Sequence, residues 1–463
     1  MIDIPTMLGQ QQFTGPNLTP ITTIANNTAL LNEFVKAATL QKNDMIQPLS
    51  CTDPKSLFIQ DCRYFREAIN VPPVNMKDDI RSNLNAAQKG QYPVVIDYKV
   101  TISDSVVIFK KRLQAAQTRV IPPEEKTDWP CRYAKTCSQV ADWIRHEIAI
   151  HLTHTHLIEE AVIVASQRIF EWDHIITRIL YPHWYKTLSL NQAAREILLP
   201  KIIFDIVGFS TEKCKAFINY SYNNFNWQEQ HAPEDLKKRG FEPSALNDDK
   251  FRNYAYAKNI HPMWKMIKSF VSDMFAIRYK CDDDVVADSA IQKWCDEIRD
   301  SQKGRIQSFP QSITAFDALA NAVTINIIRV SFINKPSALF SAPPKTLNQL
   351  KLYTEQNLMA ALSVDQPRQC LLMSHLPYLF SFRVQSGQSL AGYVSSLYNV
   401  YKEKKPSAAD PHANGIKLAT TLFYDALVKF DAEVAVISAQ MDDHVRHPYN
   451  VLDSDITAIS ILI

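Results

Sequence analysis

Five histidines between residues 146 and 183 carry the chemistry that can be read from this chain. His146, His151, His156, His174 and His183 are spaced His-x4-His-x4-His-x17-His-x8-His, and neutral imidazole is the commonest metal ligand among side chains. Rings gathered in this way suit a first-row transition metal. A zinc-protease arrangement is excluded, because His-Glu-x-x-His starting at His146 needs a histidine at position 150, where the chain has Ile150. The bland alternative is a row of hydrogen-bonded core histidines, a good reading for a lone ring and a poor one for five.

The segment that must position these rings has no Pro or Gly from Ala134 to Leu180, and its apolar residues recur every three or four. This predicts one long buried helix, or two. On an ideal α-helix, residues five apart are rotated by about 140°, so His151 and His156 would not meet on one ion. A π-type turn between them brings them together, and such turns occur mostly at functional sites.

At every interval the five-histidine spacing resembles the signature of lipoxygenases. With 12 His in 463 residues, a preset pattern of five arises by chance with a probability on the order of 10^-5, so the spacing is a strong signal. The lead-in through Trp129, Ala134 and Lys135 is similar to the family's approach to this helix. Residues 188–199 resemble the family segment of type Ile-Asn-x-x-Ala-Arg-x-x-Leu. Residues 261–298 resemble the family's helix, Tyr and acidic turn, and then the helix at Ile291-Gln292-Lys293-Trp294. The ending from Pro448-Tyr449 to Ile463 is similar to the family's ending, so the resemblance runs from about Tyr92 to the C-terminus.

The resemblance implies a mainly α-helical, lipoxygenase-like large domain around a long metal-bearing helix, with a small β-hairpin or sheet. It implies iron, with manganese as the alternative, held by His151, His156 and the terminal carboxylate of Ile463, a group with a reference pKa near 3.5 that is unprotonated at neutral pH. His146, Glu147, His174 and His183 would surround these ligands. The helix over residues 188–199 would arch over the reacting carbons, with Leu198 as a clamp and Ala194 at the position whose size steers oxygen to one side, here of the S-product type. The implied substrates are a polyunsaturated fatty acid or its ester and dioxygen. A hydrogen atom leaves the methylene between two cis double bonds, and dioxygen adds to the pentadienyl radical.

The chain departs from the family at the remaining ligands. Asn334 stands where the family has its third imidazole, and Ala338 where it has a weaker amide ligand. An alternative alignment, matching Asn334-Lys335-Pro336 to a later Asn-Ala-Pro of the family, leaves no His there either. The Gln that follows the family's first His is Glu147, and a Gln beyond the third has no counterpart before Ala342-Pro343-Pro344. Two imidazoles with the Ile463 carboxylate come close to the two-His-one-carboxylate triad of non-haem iron enzymes, and Asn334 could add a carbonyl oxygen. Loss of a nitrogen donor predicts weak metal binding and impaired dioxygenation. Two further readings stay open: a non-catalytic lipoxygenase-fold protein that binds lipid or a protein partner, and a different oxygen-using reaction at the reduced triad.

Composition agrees with a helical body. Gly is only 9 of 463, far below the ordinary share of about 7%, which suits long helices better than a parallel α/β sheet. Residues 92–109 alternate and are β-branched, which predicts a small hairpin or sheet. Residues 1–90 are polar and contain Pro, with helix-like pieces at Thr28–Leu40 and Asp61–Ile69; they lack the alternation of the N-terminal β-sandwich domain that the family often carries. Nothing has linker composition, so a single catalytic domain over residues 1–463 is expected, with a divergent part over 1–90 and a family-like core over 91–463.

A formal charge of +2 with interspersed signs points to no nucleic-acid partner, and Lys237-Lys238-Arg239 reads as solvated surface. Eight Cys without a CxxC pair suggest reduced thiols. The first residues lack the basic and apolar regions of a signal peptide, and no run of 18 apolar residues exists. A cytoplasmic location is expected, with export by a route that uses no N-terminal signal left open and any membrane contact peripheral.

Overall fold

Apolar residues at three- and four-residue spacing set the architecture. In the computed structural model of the protein, described for residues 21–23, 28–40, 42, 50–51, 53–54, 57–60, 64–70, 97–100, 107–110, 118–121, 145–203, 211–330, 386–408, 410–442, 444–445 and 448–461, nearly all of the core comes from helices. The longest that carry it are α8 (Ala255–Phe275) and α13 (Ala413–Ala439), which pack against each other. In α8 the buried residues Ile260, Met263, Trp264, Ile267, Phe270, Val271 and Phe275 keep the helical period. Phe270 stacks on Phe423 of α13 with ring centroids 4.3 Å apart. Each such side chain, fully buried, contributes about 1.5–3 kcal/mol relative to exposure.

Before these come β1 (Ile21–Thr23), α1 (Thr28–Leu40), β2 (Phe58–Gln60) and α2 (Phe65–Ala68). The first helix-like piece read from the sequence is realised over Thr28–Leu40, and the second over Phe65–Ala68, with residues 61–63 outside the described residues. β1 and β2 form an antiparallel pair, Ile21 opposite Gln60; three residues a strand is too short to leave a readable alternation. The expected small sheet has three antiparallel strands, β3 (Asp97–Val100), β4 (Val107–Lys110) and β5 (Thr118–Ile121). The lead-in residues Trp129, Ala134 and Lys135 lie outside the described residues.

The histidine segment begins as a π-helix, Arg145–Leu157, and passes directly into α3 (Ile158–Ile169). It breaks at Phe170 and resumes as α4 (Ile175–Leu180), capped by His174, whose Nδ1 accepts from the Ile176 amide. The second of the two alternatives, a pair of helices, is therefore realised. Next come α5 (Thr187–Ala193), a second π-helix (Ala194–Ile203), α6 (Thr211–Asn223) and α7 (Ala232–Lys238). α6 lies along the first π-helix. Beyond α8, the acidic run Asp282–Asp284 opens α9 (Asp282–Ala287), where negative charge suits the helix N-terminus. Asp288 caps α10 (Ser289–Arg299), accepting from the Ala290 amide. α10 packs on α3, with Trp294 Nε1 donating to Ser166 Oγ at 2.8 Å. α11 (Phe316–Ile328) lies against α8, and α12 (Leu390–Tyr401) against α13.

One surface expectation is overturned. Lys237 and Lys238 are exposed, but Arg239 is buried, bonded to Asp235 Oδ2 at 2.6 Å, to the Tyr254 hydroxyl at 2.8 Å and to the Ile21 carbonyl at 3.2 Å. The basic run straddles the end of α7, and its last member turns inward to hold β1. The next residue, Gly240, has φ 85°, and a Cβ there would lie 2.0 Å from Thr23 Oγ1, so this approach of strand to helix end requires glycine. One hydrophobic cluster extends from Ile21 to Ile459. Among the described residues no helix is long and apolar enough to cross a membrane.

Candidate metal centre

The first π-helix sets the geometry of the centre. In a π-helix the backbone bonds i to i+5, so residues five apart come onto one face. His151 and His156 accordingly meet, with Nε2 atoms 3.1 Å apart and ring centroids 4.9 Å apart. Both side chains are buried. On the same helix His146 stacks on His151 at 6.3 Å, and Glu147 Oε2 lies 3.4 Å from His151 Nδ1. Burial raises the Glu147 carboxyl, but the facing His151, with His146 and His156 beyond it, outweighs burial and holds it below its ordinary value. It is therefore an anion that accepts from His151 Nδ1–H.

The other ring is fixed by a residue on α5. Asn191, buried at 2% exposure, has Oδ1 2.6 Å from His156 Nδ1. Its Nδ2 donates to the His156 carbonyl at 3.0 Å and to Glu160 Oε2 at 3.0 Å. Glu160 in turn accepts twice from Arg195, at 2.7 and 2.8 Å.

These contacts test the fit of a metal. With its Nδ1 hydrogen given to Asn191 Oδ1, His156 turns the Nε2 lone pair towards His151 Nε2 across 3.1 Å. Two nitrogens bound at right angles to one ion, each about 2.1 Å from it, are about 3.0 Å apart. The pair fits two neighbouring positions of a metal's coordination sphere. Among the described residues no group of three His, Cys, Asp or Glu side chains is arranged to hold a metal, so these residues supply two donors. Asn334, Ala338 and Ile463 lie outside the described residues.

The structure brings together His146, Glu147, His151 and His156 and places His174 and His183 elsewhere. His174 Nε2 meets Asp288 Oδ2 at 3.0 Å, and the same carboxylate accepts from the Tyr279 hydroxyl at 2.9 Å. Its work is to tie the corner before α4 to the start of α10. His183 is buried, and its Nδ1 donates to the Ile459 carbonyl at 2.6 Å. It holds the segment that leads to Ile463. Ala194 opens the second π-helix and is buried, and Leu198, one turn on, is half-buried. Asn191 is the site residue that the sequence reading passed over, although it stands in the quoted Asn-x-x-Ala-Arg stretch. Its signal was the four-residue spacing to Arg195, matched by that of His156 to Glu160 on the facing helix.

Comparison with known proteins gives consistent results. The sequence model of the Lipoxygenase family matches residues 99–332. The chain is 39% identical to a manganese lipoxygenase of Pleurotus sapidus over 99% of its own length and 74% of that protein's. It is 33% identical to a linoleate 9/13-lipoxygenase of Pseudomonas aeruginosa over 46% of its length, which spans 30% of that protein. The crystal structure of a fungal lipoxygenase from Fusarium graminearum superposes with a TM-score of 0.78 at 30% identity, covering 99% of this chain and 79% of that one.

Proposed function

Because the chain belongs to the lipoxygenase family, we propose that it is a metal-dependent dioxygenase of polyunsaturated fatty acids or their esters. The observation that carries this reading is the meeting of two buried imidazole Nε2 atoms at 3.1 Å, the spacing of neighbouring positions around one metal ion. When bound, iron or manganese supplies one-electron redox chemistry beside the methylene between two cis double bonds. The name of the Pleurotus relative brings manganese level with iron, and that of the Pseudomonas relative supports linoleate as a substrate to try.

The chain's own residues have separable tasks in this proposal. His151 and His156 hold the metal, with the Ile463 carboxylate and the Asn334 carbonyl as further ligands. Glu147 and Asn191 keep the ring hydrogens on Nδ1. Leu198 bears on the acyl chain, and the small side chain of Ala194 leaves room for dioxygen on one side of the radical.

The test is metal content of the purified protein, for iron and manganese together, with conjugated-diene absorbance on adding linoleate and arachidonate. His151→Ala and His156→Ala are each expected to lose bound metal while remaining folded. Wild-type metal in both variants would place the site elsewhere. Asn334 in the third ligand position further supports weak metal binding and slow turnover. Asn334→His combined with Ala338→Asn is expected to tighten metal binding, and stoichiometric metal with brisk oxygenation of linoleate by the wild type would overturn the impairment. Tight metal binding with no diene from any acyl chain would favour a lipid-binding protein of this fold.

A further inference from the structure

We propose that Asn191 is the positioning residue of the centre, setting the tautomer of His156 and the distance from the metal ligands to the arching helix with one amide group. The inference rests on the metal-binding reading above and adds to it a residue, a mechanism and a geometric coupling.

The hydrogen-bond inventory of the amide fixes its orientation. The His156 carbonyl and the Glu160 carboxylate only accept, so the group that touches both at 3.0 Å is the NH2. Oδ1 is thereby turned to His156 Nδ1 at 2.6 Å. An amide oxygen cannot donate, so the ring nitrogen must carry the hydrogen. The His156 lone pair is left on Nε2, the atom that faces His151 Nε2. One side chain thus grips both the ring and the backbone of the same histidine, which removes freedom of rotation about the ring axis as well as the choice of tautomer.

The same contacts couple two helices. Glu160 lies one turn beyond His156, and Arg195 one turn beyond Asn191. The bidentate Arg195–Glu160 pair and the Asn191 bonds therefore clasp the histidine helix to the α5 segment at two successive turns. Ala194 lies between Asn191 and Arg195 in the sequence, and Leu198 follows one turn later. A shift of the α5 segment along the histidine helix would move the two proposed substrate positions relative to His156, and the clasp resists that shift. The Arg195 pair is partly exposed, so solvent weakens it; Asn191 is buried and acts without that screening.

The experiment is titration of the metal-free protein with manganese(II) and with iron(II) under argon, read as Kd by competition with a chelator. Asn191→Leu keeps the approximate volume and removes the acceptor and both donors. A 10- to 100-fold rise in Kd is expected, with an altered zero-field splitting in the spectrum of the bound manganese. Ser166→Ala, which removes the buried bond to Trp294, controls for stability lost elsewhere and is expected to leave Kd within about threefold. Wild-type Kd and an unchanged spectrum for folded Asn191→Leu would overturn the proposal. A second measurement needs no variant at Asn191. Ring 15N shifts of the metal-free wild type, assigned to His156 by comparison with His156→Gln, should report the Nδ1–H tautomer, and an Nε2–H tautomer would overturn the proposal. Failure of the wild type to bind either metal would sink the metal-binding reading, and the tautomer result would still decide the role of Asn191.

Discussion

Protonation of His183 bears directly on stability. Burial pushes it down to about 4, partly offset by its bond to the Ile459 carbonyl, from an ordinary value near 6.5. Between about pH 6.5 and 4 the unfolded chain therefore binds a proton that the folded chain refuses. Stability from this group is full above pH 6.5 and falls as the pH drops towards 4, by about 3 kcal/mol in all. His183→Gln keeps an N–H donor and removes the titration, so its urea midpoint should vary less with pH over that window; an unchanged slope would assign the acid sensitivity to other groups. At this scale much was legible. Histidine spacing singled out His146, His151 and His156, which the structure gathers. What spacing could not convey is which partner each ring takes. His174 goes to Asp288 and His183 to Ile459, at separations of 114 and 276 residues, because tertiary packing decides those contacts.

Between elements, the principal polar link is a buried ion pair. Glu159 on α3 and Arg329 at the end of α11 meet at 2.9 Å with side chains almost wholly buried. The guanidinium lies 5.2 Å from the Phe225 ring and 4.9 Å from the Trp227 ring. Burial lifts the Glu159 carboxyl to about 7 despite the neighbouring arginine, and burial likewise depresses Arg329. Removing one partner strands the other charge, so Glu159→Ala or Arg329→Ala is expected to cost about 3–5 kcal/mol in urea denaturation. Glu159→Leu with Arg329→Met should cost less than either single change, and a double variant no more stable than the singles would show that the pair is a net source of stability. Arg329 stands five residues before Asn334 in the sequence. The sequence revealed the histidine helix through its periodicity, and the need for a π-turn through the five-residue histidine spacing, but not α11 as a helix. It did not reveal that the π-helix runs the whole way from Arg145 to Leu157, since hydropathy at a given position is the same for either helix. The inward turn of Arg239 was hidden for a related reason: a charge run looks solvated until its partners Asp235 and Tyr254 are placed.

For the whole molecule, the last described residues are held by partners drawn from distant parts of the chain. Ser454 Oγ donates to Asp431 on α13 at 2.5 Å, Leu390 N donates to the Thr457 carbonyl at 2.7 Å, and Ile459 N donates to the Gln388 carbonyl at 3.0 Å. If Ile463 supplies a carboxylate as proposed, two residues appended after it should lower metal occupancy while leaving the melting temperature nearly unchanged, because these anchors all precede it. Equal occupancy and activity in the extended chain would remove Ile463 from the ligand set. The same anchoring has a consequence in time. His183 and its acceptor are 276 residues apart, and at roughly 5–20 residues per second a ribosome needs about 15–55 s to make the intervening chain. Through that interval a histidine destined for burial has no carbonyl to meet. Chains stalled on the ribosome short of residue 459 are expected to leave His183 open to carbethoxylation, and released full-length chains to protect it; protection in the stalled chains would mean that another group covers the ring while it waits.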